Sequence, residues 1–235
     1  NPNPAFARAL LGPFKRWWLG MVWALAFPGL ALAQPTPEAF MQQLTTEVLE
    51  VVRKDPALKA GDLQKIGMLL DTKFKPYINF QRMTASAVGP AWRQATPEQQ
   101  KQLQDEFRLL LMRSYSGALA QIKDNSQIVI KPVRANSNDN EVVVRSEIRG
   151  GPEPIPIDYR LERTAETDPA WRIYNFNILG IWLVDNYRTQ FSQEINAKGV
   201  DGLIATLSER NKANNRKGLQ PHNRPHRVSQ CHKVQ

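Results

Sequence analysis

The chain has 235 residues, 42% of them hydrophobic, and a formal net charge of +9. Because residues 1–33 and 208–235 carry all of the net positive charge, residues 34–207 are close to neutral. A nucleic-acid-binding domain carries its positive charge on the fold itself, so this distribution argues against nucleic-acid binding. The single cysteine, Cys231, excludes an internal disulfide.

Residues 1–33 have the three-part organisation of a secretory signal peptide. Basic residues precede an uncharged apolar run at residues 17–27, and small residues lead up to Ala33. A retained membrane anchor is the alternative, but Pro28 ends the run short of the roughly twenty apolar residues that a spanning helix needs. We therefore expect cleavage after Ala33, export, and a mature domain at residues 34–207.

Four helices are predicted in the first half of the mature chain. Thr36 begins the first as an N-cap, and apolar residues recur at helical spacing up to residue 54. Two shorter helices are predicted at residues 62–75 and 80–88. Thr96 opens the longest helix with a capping box, and its apolar face continues to about residue 123.

The periodicity changes from 3.6 to 2 after residue 126, which predicts strands. Four strands are expected at residues 127–133, 142–149, 155–162 and 171–179. Short connections between them indicate an antiparallel meander with one solvated face and one buried face. Two helices separated by Gly199 follow, and residues 208–235 are predicted to be a basic, disordered tail. The expected fold class is α+β, a curved four-stranded antiparallel sheet covered by helices.

The predicted domain lacks the residues of the common catalytic and metal sites. All three histidines lie after residue 220, which excludes a Ser-His-Asp triad and the usual zinc ligand sets from the domain. No glycine-rich phosphate loop precedes a helix. We therefore expect no enzymatic activity, no cofactor and no metal. A rival hypothesis, an enzyme acting on a small apolar substrate, would need Asp71, Asp158 or Tyr159 to face a cavity.

Two motifs resemble those of a known family. Residues 171–191 read WRIYNFNILGIWLVDNYRTQF, and GPAWR at residues 89–93 is followed by TPEQ at 96–99. Both are similar to motifs of the MlaC family of periplasmic phospholipid-binding proteins, and the resemblance extends over about residues 37–207. Trp182 is a departure, because the family pattern has a small residue there.

The resemblance implies an NTF2-like cone with an apolar pocket and a periplasmic location. It also implies a monomeric carrier whose cargo is phospholipid. The implied partners are an outer-membrane lipoprotein–porin complex and an inner-membrane ABC transporter complex, between which the carrier would shuttle lipid to maintain outer-membrane lipid asymmetry.

The pocket walls are predicted from inward-facing apolar positions of the sheet and the helices. The candidate lipid-binding residues are Leu70, Phe74, Ile78, Met83, Leu111, Tyr115, Val144, Ile148, Ile157, Tyr159, Ile173, Leu183 and Tyr187. For each of them, ordinary core packing is the alternative. Arg188 is a candidate headgroup or partner contact, with a structural ion pair as the alternative.

Overall fold

The computed structural model describes residues 35–134, 136, 139–165 and 169–218, with side chains described as far as residue 213. The predicted signal peptide and residues 219–235 lie outside this part of the chain. Within the described ranges, no helix combines the length and the apolar composition needed to cross a bilayer.

Among the described residues, five α-helices precede the sheet, and each begins at a side chain that accepts a backbone N–H. They are α1 (Pro37–Lys54), α2 (Pro56–Lys59), α3 (Leu63–Leu69), α4 (Phe80–Val88) and α5 (Pro97–Tyr115). The capping residues are Thr36, Asp55, Asp62, Asn79 and Thr96. Such caps satisfy N–H groups that have no partner inside the helix, which is why the predicted helix starts are confirmed.

The segment after α3 differs from the predicted helix over residues 62–75. The chain widens into a π-helical turn at Leu70–Phe74 and then tightens into a 3₁₀ turn at Lys75–Tyr77. Pro76 has no N–H and cannot continue an α-helix. The long helix also ends earlier than predicted, because α5 gives way to a 3₁₀ segment at Ser116–Gln121.

The sheet has five antiparallel strands, in the order in which they follow one another along the chain. They are β1 (Gln127–Ile130), β2 (Glu141–Arg149), β3 (Ile155–Arg163), β4 (Trp171–Ile178) and β5 (Ile181–Trp182). The α+β class is confirmed, but the predicted count of four strands is wrong. Leu179 and Gly180 both have positive φ and form a tight turn into β5, which is too short to show a period of two.

A bulge in β4 changes which side chains face the interior. Arg160 of β3 pairs with Asn175, whereas Leu161 pairs with Ile173, so Tyr174 is the extra residue. A single inserted residue reverses the alternation of a strand. Trp171 and Ile173 therefore face the interior before the bulge, and Phe176 and Ile178 face it after the bulge.

The last helix, α6 (Leu183–Gly218), is broken at Gly199, where φ is 72° and ψ is −175°. The predicted break at Gly199 is confirmed, but the predicted start of a disordered tail at residue 208 is wrong. Helix α6 continues to Gly218, and the buried Nδ2 of Asn211 donates to the Glu106 carbonyl of α5 at 3.0 Å. Excess positive charge does not prevent a helix that contains no proline.

Three clusters of buried apolar side chains hold the described elements together. One lies between α4, α5 and α6 around Leu103, Phe107 and Phe191. The second lies between the start of α1 and the sheet around Trp171, and the third brings Leu49 and Val52 of α1 against Ile122. The Trp171 indole N–H also donates to the Pro35 carbonyl at 3.0 Å, which fixes the residues just before α1 on the sheet.

Candidate functional site

An apolar cavity, here called the sheet cavity, lies between α1, the segment after α2 and the inner face of the sheet. It contains about 1130 Å³ of free space, including the part open to solvent. Helix α1 lines it with Met41, Leu44, Thr45, Val48, Leu49 and Val52. The sheet lines it with Ile128, Ile148, Ile157, Tyr159, Ile173 and Phe176.

A second apolar cavity, here called the helix cavity, lies between α4, α5 and the end of β4. It contains about 840 Å³ of free space, again including the part open to solvent. Helices α4 and α5 contribute Phe80, Met83, Arg108, Leu111, Met112 and Tyr115. The two cavities adjoin, because both are lined by Ile66, Leu70, Ile78, Leu119 and Phe176.

Helix α3 and its π-helical extension cover both cavities without filling them. No residue of α3 is fully buried, although Ile66 and Leu69 line the sheet cavity. Phe74 is the one buried residue of the π-helical turn. A π-helical turn inside a helical segment is frequently found at a functional site, and here it contributes Leu70 to the wall that the two cavities share.

The few polar side chains on the cavity walls are neutral, apart from Arg108. The Thr45 hydroxyl donates to the Met41 carbonyl at 2.6 Å. Burial raises the pKa of Tyr159 to about 12. Burial is also the largest cause of the raised pKa of Tyr115. Both phenols are therefore protonated at neutral pH and add no charge to the walls.

A charged cluster on the outer face of the sheet holds α4 in place. Arg82 pairs with Glu141 of β2 and Glu162 of β3, and its guanidinium lies 3.7 Å from the ring centroid of Tyr174. The pKa of Glu141 is lowered mainly by its hydrogen bond from Arg82 and, to a smaller extent, by its hydrogen bond from Tyr174. Because α4 is tied to the sheet in this way, Phe80 and Met83 are held on the wall of the helix cavity.

Most of the predicted wall residues come together around the cavities. Five line only the sheet cavity: Phe74, Ile148, Ile157, Tyr159 and Ile173. Four line only the helix cavity: Met83, Leu111, Tyr115 and Leu183. Leu70 and Ile78 line both.

Two of the predicted wall residues, Val144 and Tyr187, line neither cavity. Val144 is fully buried in the core beneath α1. The Tyr187 ring packs edge-on against Phe107 with centroids 5.1 Å apart. Tyr187 lies one turn beyond Leu183, where α6 packs against α5, so the space between the layers is filled there.

Trp182 and Arg188 also lie away from the cavity walls. The Arg160 guanidinium lies 4.1 Å from the ring centroid of Trp182, and Trp182, the departure from the family pattern, lines neither cavity. Arg188 donates from Nε to the Ser86 carbonyl at 2.9 Å. This contact ties α6 to α4 and gives Arg188 a structural role.

Comparison with known proteins identifies the family. The sequence model of the family described as "MlaC protein" matches residues 42–209. The chain belongs to the MlaC family. The matched range contains nearly all of the residues that line either cavity.

Two named relatives are similar to this chain over most of their length. The toluene tolerance protein ttg2D of Pseudomonas putida is 26% identical over 182 residues, which cover 77% of this chain and 83% of that protein. The intermembrane phospholipid transport system binding protein MlaC of Haemophilus influenzae is 20% identical over 200 residues, which cover 83% and 92%.

A solved structure has the same fold. It is that of a phospholipid-binding protein from Ralstonia solanacearum, determined in complex with a phospholipid. The two chains are 42% identical, with a TM-score of 0.71 and coverage of 76% of this chain and 98% of that one.

Sequence reasoning missed several wall residues of this MlaC-family chain. The α1 residues Met41, Thr45 and Leu49 line the sheet cavity, and the predicted apolar stripe of α1 pointed to that face. Leu119 lines both cavities from the 3₁₀ segment after α5. Arg108 was missed because a charged residue beside an apolar helical stripe ordinarily faces solvent.

Proposed function

We propose that this chain is a periplasmic phospholipid carrier that holds acyl chains in the sheet cavity and the helix cavity. It passes phospholipid between an outer-membrane lipoprotein–porin complex and an inner-membrane ABC transporter complex, acts as a monomer and catalyses no reaction. The observation that carries the proposal is the pair of adjoining apolar cavities in a chain 42% identical to a protein bound to a phospholipid.

The cavities match the physical requirement for carrying a lipid through water. Exposing an acyl chain costs on the order of 0.8 kcal/mol per methylene, so two sixteen-carbon chains cost roughly 25 kcal/mol. Apolar walls replace that water, and a lipid site needs few polar groups. Because Leu70 and Ile78 separate two cavities, a diacyl lipid can place one chain on each side of them.

The arrangement of ionisable groups favours a carrier over the rival enzyme. No carboxylate of the described residues lines either cavity. Asp71 is paired with Arg108 and its side chain is 55% exposed. Asp158 lies between the inward-facing Ile157 and Tyr159, so it faces outward. Tyr159 itself, with a pKa raised to about 12 by burial, is a poor base at neutral pH.

A matched pair of acidic substitutions tests the proposal. Ile157→Asp places a charge in the sheet cavity, whereas Val143→Asp makes a similar change on the exposed face of β2, where Val143 is 40% exposed. Both proteins are purified, their folding is checked by circular dichroism, and their organic extracts are analysed by mass spectrometry. We expect Val143→Asp to retain phospholipid and a folded Ile157→Asp to lose it. Equal lipid content in the two folded variants would contradict the wall assignment.

A further inference from the structure

One charged side chain reaches the wall of the helix cavity. Among the residues that line the two cavities in the described part of the chain, Arg108 alone carries a charge. Its side chain is 23% exposed, and its guanidinium carbon lies 5.8 Å from the ring centroid of Phe80, another wall residue. Arg108 therefore lies at the boundary between the apolar interior and water.

The guanidinium is only partly engaged by the protein. Its Nη1 lies 2.7 Å from Asp71 Oδ1, and its Nη2 donates to the Gly67 carbonyl at 3.2 Å. Its Nε is buried and has no hydrogen-bond partner. A guanidinium has five N–H donors in a planar fork, so donors remain for a further acceptor.

We propose that Arg108 binds the phosphate of the cargo lipid and that this phosphate displaces Asp71 from the guanidinium. The inference rests on the proposed function, because it assigns a headgroup contact to the same site. A lipid whose chain occupies the helix cavity places its phosphodiester near the boundary where Arg108 lies. Arginine binds phosphate through two parallel charge-assisted hydrogen bonds.

The present partner of Arg108 is suited to displacement. The Asp71 side chain is 55% exposed, and an ion pair with an exposed carboxylate is weak because water and salt compete for both charges. Asp71 belongs to the π-helical turn that covers the cavities. In the lipid-free protein it keeps the Arg108 charge paired at an apolar wall, and in the loaded protein the phosphate takes over this role.

The alternative is that Arg108 has a structural role only, in which its ion pair with Asp71 holds the segment after α3 against α5. Two substitutions separate the readings, because Arg108→Met and Asp71→Asn both break the same ion pair. If the ion pair is only a tie, the two variants lose lipid affinity together. If Arg108 binds phosphate, Arg108→Met weakens phospholipid binding, whereas Asp71→Asn preserves or strengthens it by removing a competing carboxylate.

The experiment uses lipid-free protein and two short-chain probes, dihexanoyl phosphatidylglycerol and dihexanoylglycerol, titrated by isothermal calorimetry. We expect Arg108→Met to weaken phosphatidylglycerol binding about tenfold and to leave dihexanoylglycerol binding unchanged. Arg108→Lys, which keeps the charge, should retain part of the affinity and guards against a folding defect in the methionine variant.

The possible failures are distinguishable. If wild-type protein binds both probes but Arg108→Met weakens both equally or neither, the phosphate contact is wrong while the carrier function stands. If Asp71→Asn and Arg108→Met lose affinity together, Arg108 is only a structural tie. If wild-type protein binds neither probe, both the proposed function and the inference fail.

Discussion

Truncating a leucine to alanine should cost the lipid-free protein more stability in a packed core than between the two cavities. Leu103 of α5 is fully buried in the core between α4, α5 and α6. Leu70 has cavity space on two sides, because it lines both the sheet cavity and the helix cavity. We compare Leu103→Ala with Leu70→Ala, an identical chemical change in the two settings.

The expected magnitudes follow from what each side chain contacts. Truncating Leu103 removes three carbon groups from a packed core, a transfer loss of about 2.4 kcal/mol, and the void raises the cost to roughly 3–5 kcal/mol. Leu70 already borders free space, so its truncation creates little new void and loses fewer contacts. We expect a cost of about 1 kcal/mol for Leu70→Ala in lipid-free protein.

Urea unfolding of lipid-free wild type and both variants, followed by far-ultraviolet circular dichroism, measures these costs. Equal slopes with urea concentration would show that the variants unfold between comparable states. The reasoning is refuted if Leu70→Ala costs as much as Leu103→Ala. That result would mean that the interior closes around Leu70 when no lipid is bound.

Two further predictions concern backbone strain and alkaline stability. Gly199→Ala should destabilise the protein by about 1–3 kcal/mol, because its φ of 72° and ψ of −175° are accessible essentially to glycine alone. Gly117→Ala, which also adds a methyl group in open space, is the urea-unfolding control and should cost much less. The pKa of Tyr159, raised by burial to about 12 in the folded protein, exceeds its unfolded value of about 10, so its contribution to stability is complete below pH 10 and is lost as the pH rises toward 12. Tyr159→Phe should therefore lose less stability than wild type between pH 9 and pH 11.5 in urea unfolding, and identical losses would contradict the assignment.

The starts of the capped helices could be predicted from the sequence because each depends on neighbouring residues. Thr36 and Thr96 cap their helices through bonds to residues three positions away, and such bonds leave a local signature. Gly199 marks the break in α6 for the same reason. The alternation of β2 and β3 likewise identified the face that lines the sheet cavity.

The cavities themselves could not be derived from the pattern of apolar residues. Val144 and Ile148 lie on the same face of β2, yet Val144 is packed beneath α1 and Ile148 borders free space. Their difference depends on the distance between two layers, which no local pattern encodes. The resemblance to the MlaC family supplied the expectation of a pocket, and the structure separates wall positions from solid core.

The bulge at Tyr174 is a second feature that the alternation of residues could not predict, and it changes which side chains of β4 face the cavities. A strict period of two along β4 would place Trp171, Ile173 and Asn175 on one face. The register shift instead brings Phe176 to the cavities. Asn175 is buried on the other face, where its Oδ1 accepts a hydrogen bond from the Val184 backbone N–H of α6 at 3.1 Å.

Photochemical labelling with a phospholipid that carries a diazirine in its acyl chain tests the central claim most directly. Lipid-free protein is loaded with the probe, irradiated and digested, and the labelled residues are identified by mass spectrometry. Labels are predicted on α1 and β3 around the sheet cavity and on α4 and α5 around the helix cavity. Labels confined to the outer face of the sheet around Arg82, or none on a folded protein, would contradict the claim that acyl chains lie in these cavities.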